Sequence, residues 1–240
     1  MINLLSIILP YYNRRGLLFT TLDWMAYYQG EHSIETIIVD DGSNAENSIQ
    51  DVVDLYPTLN INLIVLPQSK WRTPTDSYNT GFNAVTGDTI MINSSECVHT
   101  GDVIGYVFDQ FQPNDYMVFA AYMGDEYTSP IVVNDKTKYG VHSSIGNFIP
   151  YCAVISRANM EQLSGYDERF SKGVGFDDYD FQDRVYNLGL NMKVVDHPFV
   201  FHQWHPPTNY INTINKDLLF KLREDAPKRI KAIGNKIYNK

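Results

Sequence analysis

An apolar run that turns directly into aromatic and polar residues opens the chain: residues 4–14 read LLSIILPYYNR. The pattern returns at residues 34–43, which read IETIIVDDGS, and further apolar runs occupy residues 61–66 and 89–92. Stretches whose apolar residues have helical spacing separate these runs. Strands that are apolar throughout and alternate with helices are typical of a parallel sheet covered on both faces. The sequence therefore predicts an α/β, Rossmann-like fold with a mostly parallel central sheet flanked by helices.

The same spacing predicts the remaining elements, which are less regular in the second half of the chain. The predicted helices span residues 17–28, 48–56, 77–85, 103–111 and 181–188, and two further strands span residues 116–122 and 152–156.

The composition excludes several classes of protein. The formal net charge is −9, which argues against general nucleic-acid binding. Two cysteines, Cys97 and Cys152, are too few for a disulfide framework and suit a reducing compartment. The first residues lack the basic region of a signal peptide, and no apolar run approaches the ~20 residues that a membrane span needs. We expect a cytoplasmic protein that binds no nucleic acid.

Three carboxylates lie together just ahead of a predicted helix. Asp177, Asp178 and Asp180 follow two glycines and precede the amphipathic residues 181–188. Unpaired N–H groups and the helix dipole favour ionised carboxylates at such a position. An ionised, positioned carboxylate is what a general base needs to take a proton from an alcohol. The alternative is that Asp177 simply caps the helix, as Asp often does.

Polar or aromatic residues follow each of the first four predicted strands. Ligands of parallel α/β sheets bind beyond the carboxyl ends of the strands, so these residues predict a ligand crevice at one edge of the sheet. The alternative is that segments such as Asp41-Gly42-Ser43 are only turns. The candidate ligand-holding residues are Pro10, Tyr12, Asn13, Asp41, Arg72, Asn79 and Ser94.

Five segments carry a family resemblance. Residues 6–14 and 38–43 resemble the opening motifs of family 2 glycosyltransferases of the GT-A fold. Residues 79–88 are similar to the segment that leads into the metal-binding strand of that family. Residues 165–170 and 175–180 look like its acceptor-side motif. The resemblance extends over most of the chain.

The resemblance implies binding of a nucleotide-sugar, most often linked to UDP. Asp41 would then hydrogen-bond the uracil edge, Pro10 and Tyr12 would line the base pocket, and Arg72 would approach the diphosphate. Asn13, Asn79 and Ser94 are counted with the nucleotide-binding residues.

The resemblance also implies a reaction, which is a single displacement with inversion at the anomeric carbon. The catalytic base of the family falls on Asp178, and Asp177 takes the position that would hold the acceptor. The acceptor would be a hydroxyl of a glycan, a lipid-linked sugar or a protein. We expect a role in polysaccharide or other glycan biosynthesis.

The sequence departs from the family at the metal-binding motif. The family normally has Asp-x-Asp after the fourth strand, which binds Mg²⁺ or Mn²⁺, and this chain reads Ser94-Ser95-Glu96. Glu96 keeps a carboxylate, which is a hard-cation ligand. His202, with His205 as the second choice, resembles the late histidine that completes the metal site in many relatives. The alternative is that both histidines are hydrogen-bonded loop residues.

The resemblance divides the chain into two parts. Residues 1–207 would form the GT-A domain, with a nucleotide-binding half (1–100) and an acceptor-side half (101–207). Residues 208–240 would form a basic helical appendage, since residues 216–240 hold eight Lys and Arg against three Asp and Glu. This appendage would either dock on the domain or lie on the anionic inner face of a membrane.

Two functions remain open from the sequence. The first is an inverting glycosyltransferase that uses a nucleotide-sugar. The second is a nucleotide-sugar-binding protein without catalysis, which the altered motif at Ser94 and Glu96 allows. A nicotinamide-dependent enzyme is disfavoured because no GxGxxG follows the first strand.

Overall fold

The computed structural model describes residues 1–67, 73–124, 138–206 and 213–238, and these residues form one mixed α/β domain. The strands are β1 (Leu5–Tyr11), β2 (Ile34–Asp40), β3 (Ile61–Val65), β4 (Thr89–Asn93), β5 (Cys97–His99), β6 (Asp115–Met123), β7 (Lys138–Val141), β8 (Cys152–Ser156) and β9 (Asn191–His202). The helices are α1 (Arg15–Tyr28), α2 (Val52–Leu55), α3 (Thr75–Ala84), α4 (Val103–Gln110), α5 (Arg157–Leu163), α6 (Asp177–Leu188) and α7 (Thr213–Asp225).

The first four strands form the parallel part of the sheet, as predicted. The strand order is β3-β2-β1-β4-β8-β6-β9-β5, with β7 beside β6. Pairing is parallel from β3 through β2 and β1 to β4. All residues of β1 except Pro10 are buried. A strand with helices on both faces is apolar along nearly its whole length, as β1 and β4 are, whereas the edge strand β3 has no fully buried residue.

The predicted α/β fold with flanking helices is confirmed, and the second half of its sheet mixes parallel and antiparallel strands. β8 pairs antiparallel with both β4 and β6, and β9 runs parallel to β6 but antiparallel to β5. β5, β7, β9 and α5 were not predicted. β9 was missed because most of its residues are half-buried or exposed, so it lacks a continuous apolar run.

The helix predicted at residues 48–56 is much shorter in the structure. α2 covers only Val52–Leu55, and single 3₁₀ turns at Ala45–Asn47 and Pro57–Leu59 flank it. Pro57 lacks an N–H and disfavours helical geometry at the preceding residue, which ends the helix.

Four stacked aromatic rings connect α3 to α6. The ring planes of Tyr78, Phe82, Tyr166 and Phe181 are nearly parallel, with centroids 4.8 Å apart for Tyr78 and Tyr166 and 4.4 Å apart for Tyr166 and Phe181. Buried aromatic pairs of this kind add to stability beyond the area that they bury. The stack fixes the start of α6 relative to the sheet.

The C-terminal segment packs on the domain. Leu219 and Leu222 of α7 form a buried cluster with Phe170. After α7, the guanidinium of Arg229 forms ion pairs with Asp167, at 3.0 Å, and with Asp180. These contacts are the ones that the docking interpretation expects. Among the described helices, none is both long and apolar enough to cross a membrane.

Candidate active site

Three strand ends meet at one edge of the sheet and border a cavity. β1, β2 and β4 are neighbours, and the residues that follow them face the same space. α3 supplies the opposite side. The lining residues are Pro10, Tyr11, Tyr12, Arg14, Asp41, Pro74, Ser77, Tyr78, Ser94, Ser95 and Glu96. Five of the predicted site residues are therefore brought together here: Pro10, Tyr12, Asp41, Ser94 and Glu96.

Asn13 lies beside this cavity but is used to join the two loops that border it. Its backbone is left-handed, with φ of 52°. Its N–H donates to Ser43 Oγ at 2.9 Å, and its Oδ1 accepts from the N–H of Asn44 at 2.8 Å. The N–H of Asp41 donates to Tyr11 O at 2.9 Å. Asn13 thus holds the loop after β1 against the loop after β2, which positions Asp41.

Asn79 is buried and does not line the cavity, which speaks against the predicted nucleotide contact. Its Nδ2 donates to Tyr166 O and to Glu168 Oε1, both at 3.0 Å. Its Oδ1 accepts from the N–H of Tyr166 at 2.8 Å. The amide is therefore used to hold the segment before α6 against α3. Arg72, the predicted diphosphate contact, lies outside the described residues.

Glu96 is buried and forms two strong contacts. Its Oε1 accepts from Arg14 Nη1 at 2.6 Å, and its Oε2 accepts from Ser94 Oγ at 2.6 Å. Burial by itself would raise the pKa of Glu96, but the Arg14 charge and the two hydrogen bonds outweigh it and lower the pKa. The carboxylate is therefore ionised and paired. Arg14 was part of the strand-end motif in the sequence, but no role was predicted for it.

The predicted metal centre is not assembled by the described side chains. Within the described ranges, no three His, Cys, Asp or Glu side chains lie close enough to hold a metal ion. The His202 and His205 rings are 5.2 Å apart, and burial lowers the pKa of His202 to about 4. The carboxylate of Glu96, the one predicted acidic ligand, is already paired with a cation. With its one carboxylate paired, this donor set supplies few of the oxygen ligands that a divalent cation prefers, and a substrate diphosphate would have to supply the rest.

The carboxylate pair begins α6, as the sequence predicted, but its ionisation differs from the prediction. Phe176 takes the N-cap position, with φ of 67°, so Asp177 is the first helical residue rather than a cap. Burial, together with the charge of Asp178, raises the pKa of Asp177 well above its ordinary value. Burial also raises the pKa of Asp178 to about 6, partly offset by a hydrogen bond from Tyr166. Desolvation therefore outweighs the helix dipole here.

The two carboxylates have different surroundings. Asp177 is 3 % exposed, and its Oδ2 lies 3.5 Å from Thr75 Oγ1, which donates to it. Asp178 remains partly accessible, and its Oδ1 accepts from the hydroxyl of Tyr166 at 3.4 Å. The third carboxylate of the run, Asp180, instead forms a buried ion pair with Arg184 at 2.8 Å. Among the described residues, Asp177 and Asp178 are therefore the carboxylates of this run that form no ion pair.

Tyr78 connects the carboxylate pair to the cavity. It lines the cavity, and burial raises its pKa well above the ordinary value. The charges of Asp178, Asp177 and Glu96 raise that pKa further. Because such effects weaken with distance, Tyr78 lies within electrostatic reach of both the pair and Glu96. Asp41 and Tyr78 thus line the same crevice, and the charges of the carboxylate pair act on it at Tyr78.

This arrangement defines an α/β ligand-binding domain with a carboxylate pair beside its crevice, which is the composition of an enzyme active site. The family model for Glycosyl transferase family 2 matches residues 6–163. The chain therefore belongs to glycosyl transferase family 2 and carries a glycosyltransferase domain. No curated protein matches the chain.

Solved structures agree on the fold. A mannosyltransferase, PcManGT from Pyrobaculum calidifontis in complex with GDP-Man and Mn2+, is 17% identical with a TM-score of 0.60, over 82% of this chain and 56% of that chain. S. aureus TarS 1-349 in complex with UDP-GlcNAc is 14% identical with a TM-score of 0.68, over 93% of this chain and 66% of that chain. The match to S. aureus TarS covers 84% of this chain and 37% of that chain. The chain thus spans between about a third and two thirds of the length of these proteins.

Proposed function

We propose that this domain is an inverting glycosyltransferase, which moves a sugar from a nucleotide-sugar to an acceptor hydroxyl. The observation that carries the proposal is the partly accessible carboxylate of Asp178, whose pKa of about 6 suits a general base at neutral pH. A carboxylate with an ordinary pKa of 3.8 would be a weaker base. Structural neighbours that bind GDP-Man and UDP-GlcNAc support the class of donor.

The nucleotide would bind at the edge formed by β1 and β2. Asp41 would accept a hydrogen bond from the base, and the ring of Tyr12 offers a surface for stacking next to Pro10. We propose UDP as the nucleotide because of the family resemblance of these motifs. A competition experiment with UDP, GDP and ADP would test that choice directly.

The transfer step would use the carboxylate pair. Asp178 takes the proton of the acceptor hydroxyl while the oxygen attacks the anomeric carbon on the face opposite the diphosphate. The bond between that carbon and the phosphate oxygen breaks, and the oxygen leaves with the electron pair, so the configuration inverts. Asp177, whose pKa is raised well above its ordinary value by burial and by the charge of Asp178, would hold its proton and donate a hydrogen bond to the acceptor.

The substitution Asp178→Asn tests the proposal. We expect it to lower the transfer rate by a factor of ~10²–10⁴, the contribution typical of a general base. UDP binding, measured by calorimetry, should change little, because the base acts only on the acceptor. The matched control is Asp183→Asn on the same helix, since Asp183 forms a surface ion pair with Arg223 and should be dispensable for transfer. Normal transfer by the Asp178 variant would refute the assignment.

A second function, nucleotide-sugar binding without catalysis, is favoured by one observation. The predicted metal ligands Glu96, His202 and His205 do not form a metal cluster among the described residues. Under this alternative the wild-type protein would bind UDP but would neither transfer nor slowly hydrolyse any donor. The retained pair Asp177 and Asp178 supports the first function, because a protein that only binds needs no base.

A further inference from the structure

We propose that Arg14 supplies the positive charge that stabilises the departing diphosphate, in the position where a metal ion would otherwise act. The inference rests on the proposed transfer function. Its basis is one contact at the cavity wall: Arg14 Nη1 lies 2.6 Å from Glu96 Oε1, and both residues line the cavity.

Both carboxylate oxygens of Glu96 accept hydrogen bonds, and one of them accepts from a guanidinium. Ser94 Oγ donates to one carboxylate oxygen, and Arg14 donates to the other. The backbone at Glu96 is also fixed, because its carbonyl accepts from the N–H of Gln203 at 3.0 Å and from Gln203 Nε2 at 3.2 Å. This fixed carboxylate holds Nη1 of Arg14 at the cavity wall and leaves the other N–H donors of the guanidinium outside the contact.

The guanidinium of Arg14 has N–H donors available for a second partner. A guanidinium carries five N–H donors in a planar fork. Among the described residues, Glu96 is the one side chain with which Arg14 forms an ion pair, and the Arg14 side chain is 28% exposed. It also occupies the N-cap position of α1, directly after β1. Its remaining N–H groups can therefore meet a ligand at the strand edge.

Arg14 is the cation that the described lining offers to a diphosphate. Within the described lining, Arg14 is the sole positively charged residue, whereas Asp41 and Glu96 are negative. A nucleoside diphosphate brings at least two further negative charges. Arginine binds phosphate oxygens through two parallel N–H donors, so it suits this ligand. When the bond to the anomeric carbon breaks, the electron pair goes to a phosphate oxygen, and Arg14 stabilises that charge without giving up a proton.

The adjacent arginine provides a matched control. Arg15 does not line the cavity, and its guanidinium binds Asp51 through two hydrogen bonds of 2.6 and 2.7 Å. Arg14→Gln and Arg15→Gln therefore remove the same charge from neighbouring positions, and only the first removes it from the crevice. Thermal unfolding of both variants checks that each is folded.

The test is calorimetry with UDP and with uridine on the full chain, in EDTA and then in Mn²⁺. We expect Arg14→Gln to weaken UDP binding by about tenfold or more, because a charge-assisted pair is lost, and to leave uridine binding unchanged. We expect Arg15→Gln to have no effect. In the wild-type protein, exchanging EDTA for Mn²⁺ should alter the UDP affinity by less than about twofold.

Two results would overturn the inference. One is equal UDP affinity in the two arginine variants, and the other is wild-type UDP binding that disappears in EDTA and returns with Mn²⁺. Either outcome leaves the proposed transfer intact, since the assay measures binding alone. Failure of transfer in the wild-type protein, with UDP binding still dependent on Arg14, would instead refute the proposed function and keep the diphosphate site.

Discussion

The raised pKa of Asp178 predicts a specific pH dependence of sugar transfer. With a pKa of about 6, the base is ~90% ionised at pH 7 and ~10% ionised at pH 5, so kcat/KM should fall about tenfold between these values. A carboxylate with the ordinary pKa of 3.8 would still be ~90% ionised at pH 5, and transfer would hardly change. The acidic limb of the pH profile is the range in which kcat/KM falls as the pH is lowered. Its position therefore reports the burial of Asp178.

The substitution Tyr166→Phe should move this limb to higher pH. The Tyr166 hydroxyl donates to Asp178 Oδ1 at 3.4 Å and lowers the pKa of that carboxyl, because it stabilises the ionised form. Without the hydroxyl, burial acts alone and the pKa rises. The variant should lose more activity at pH 6 than at pH 8. A purely structural defect would reduce activity by the same factor at both values.

The assay is kcat/KM for donor transfer at half-unit steps from pH 3.5 to pH 8.5. The control is Tyr56→Phe, because the Tyr56 hydroxyl donates to Asp23 at 2.7 Å and has no contact with the pair. Its acidic limb should coincide with that of the wild-type protein. A wild-type limb near pH 4, or a Tyr166→Phe limb that does not move, would show that Asp178 is not the titrating base.

Two further predictions concern stability. Arg229→Ala should lower the free energy of unfolding by about 3 kcal/mol in urea, because it leaves two buried carboxylates short of a partner. The exposed pair removed by Arg223→Ala should cost about 0–1 kcal/mol, and equal losses would contradict this account. Gly81→Ala should cost about 1–3 kcal/mol, since a Cβ would lie 2.6 Å from Ile8 Cγ2. An unchanged midpoint would show that α3 can move away from β1.

Local sequence patterns were enough to predict the elements that consist mainly of buried residues. β1, β2 and β4 are mostly apolar. Because these strands are parallel, the polar residues that follow them in the sequence lie at the same edge of the sheet. This is why Asp41 and Ser94 could be placed in one crevice from the order of the strands.

The sequence could not predict partners that are distant in the chain. Glu96 is paired with Arg14, 82 residues away, and the strand-end motifs gave no sign of this pairing. Asn79 donates a hydrogen bond to the backbone of Tyr166, 87 residues away. A polar residue that resembled a ligand contact therefore joins two segments of the domain. A motif gives the type of side chain at a position. The hydrogen-bond partner of that side chain depends on how β1, α3 and α6 pack together.

The ionisation of Asp178 was also beyond local reasoning. A helix start predicts a low pKa from the dipole, whereas burial against the rings of the α3–α6 stack raises it. The dipole effect is typically below about 1 kcal/mol, and desolvation of a buried carboxylate exceeds that. The sequence shows the helix start but not how deeply α6 is covered.

The most direct test of the central claim is a crystal structure of the protein with an intact UDP-sugar. The account predicts the uracil edge at Asp41, the diphosphate on the guanidinium of Arg14, and the anomeric carbon on the side of Asp178. A nucleotide bound at another face of the domain, or an anomeric carbon that points away from Asp178, would contradict it.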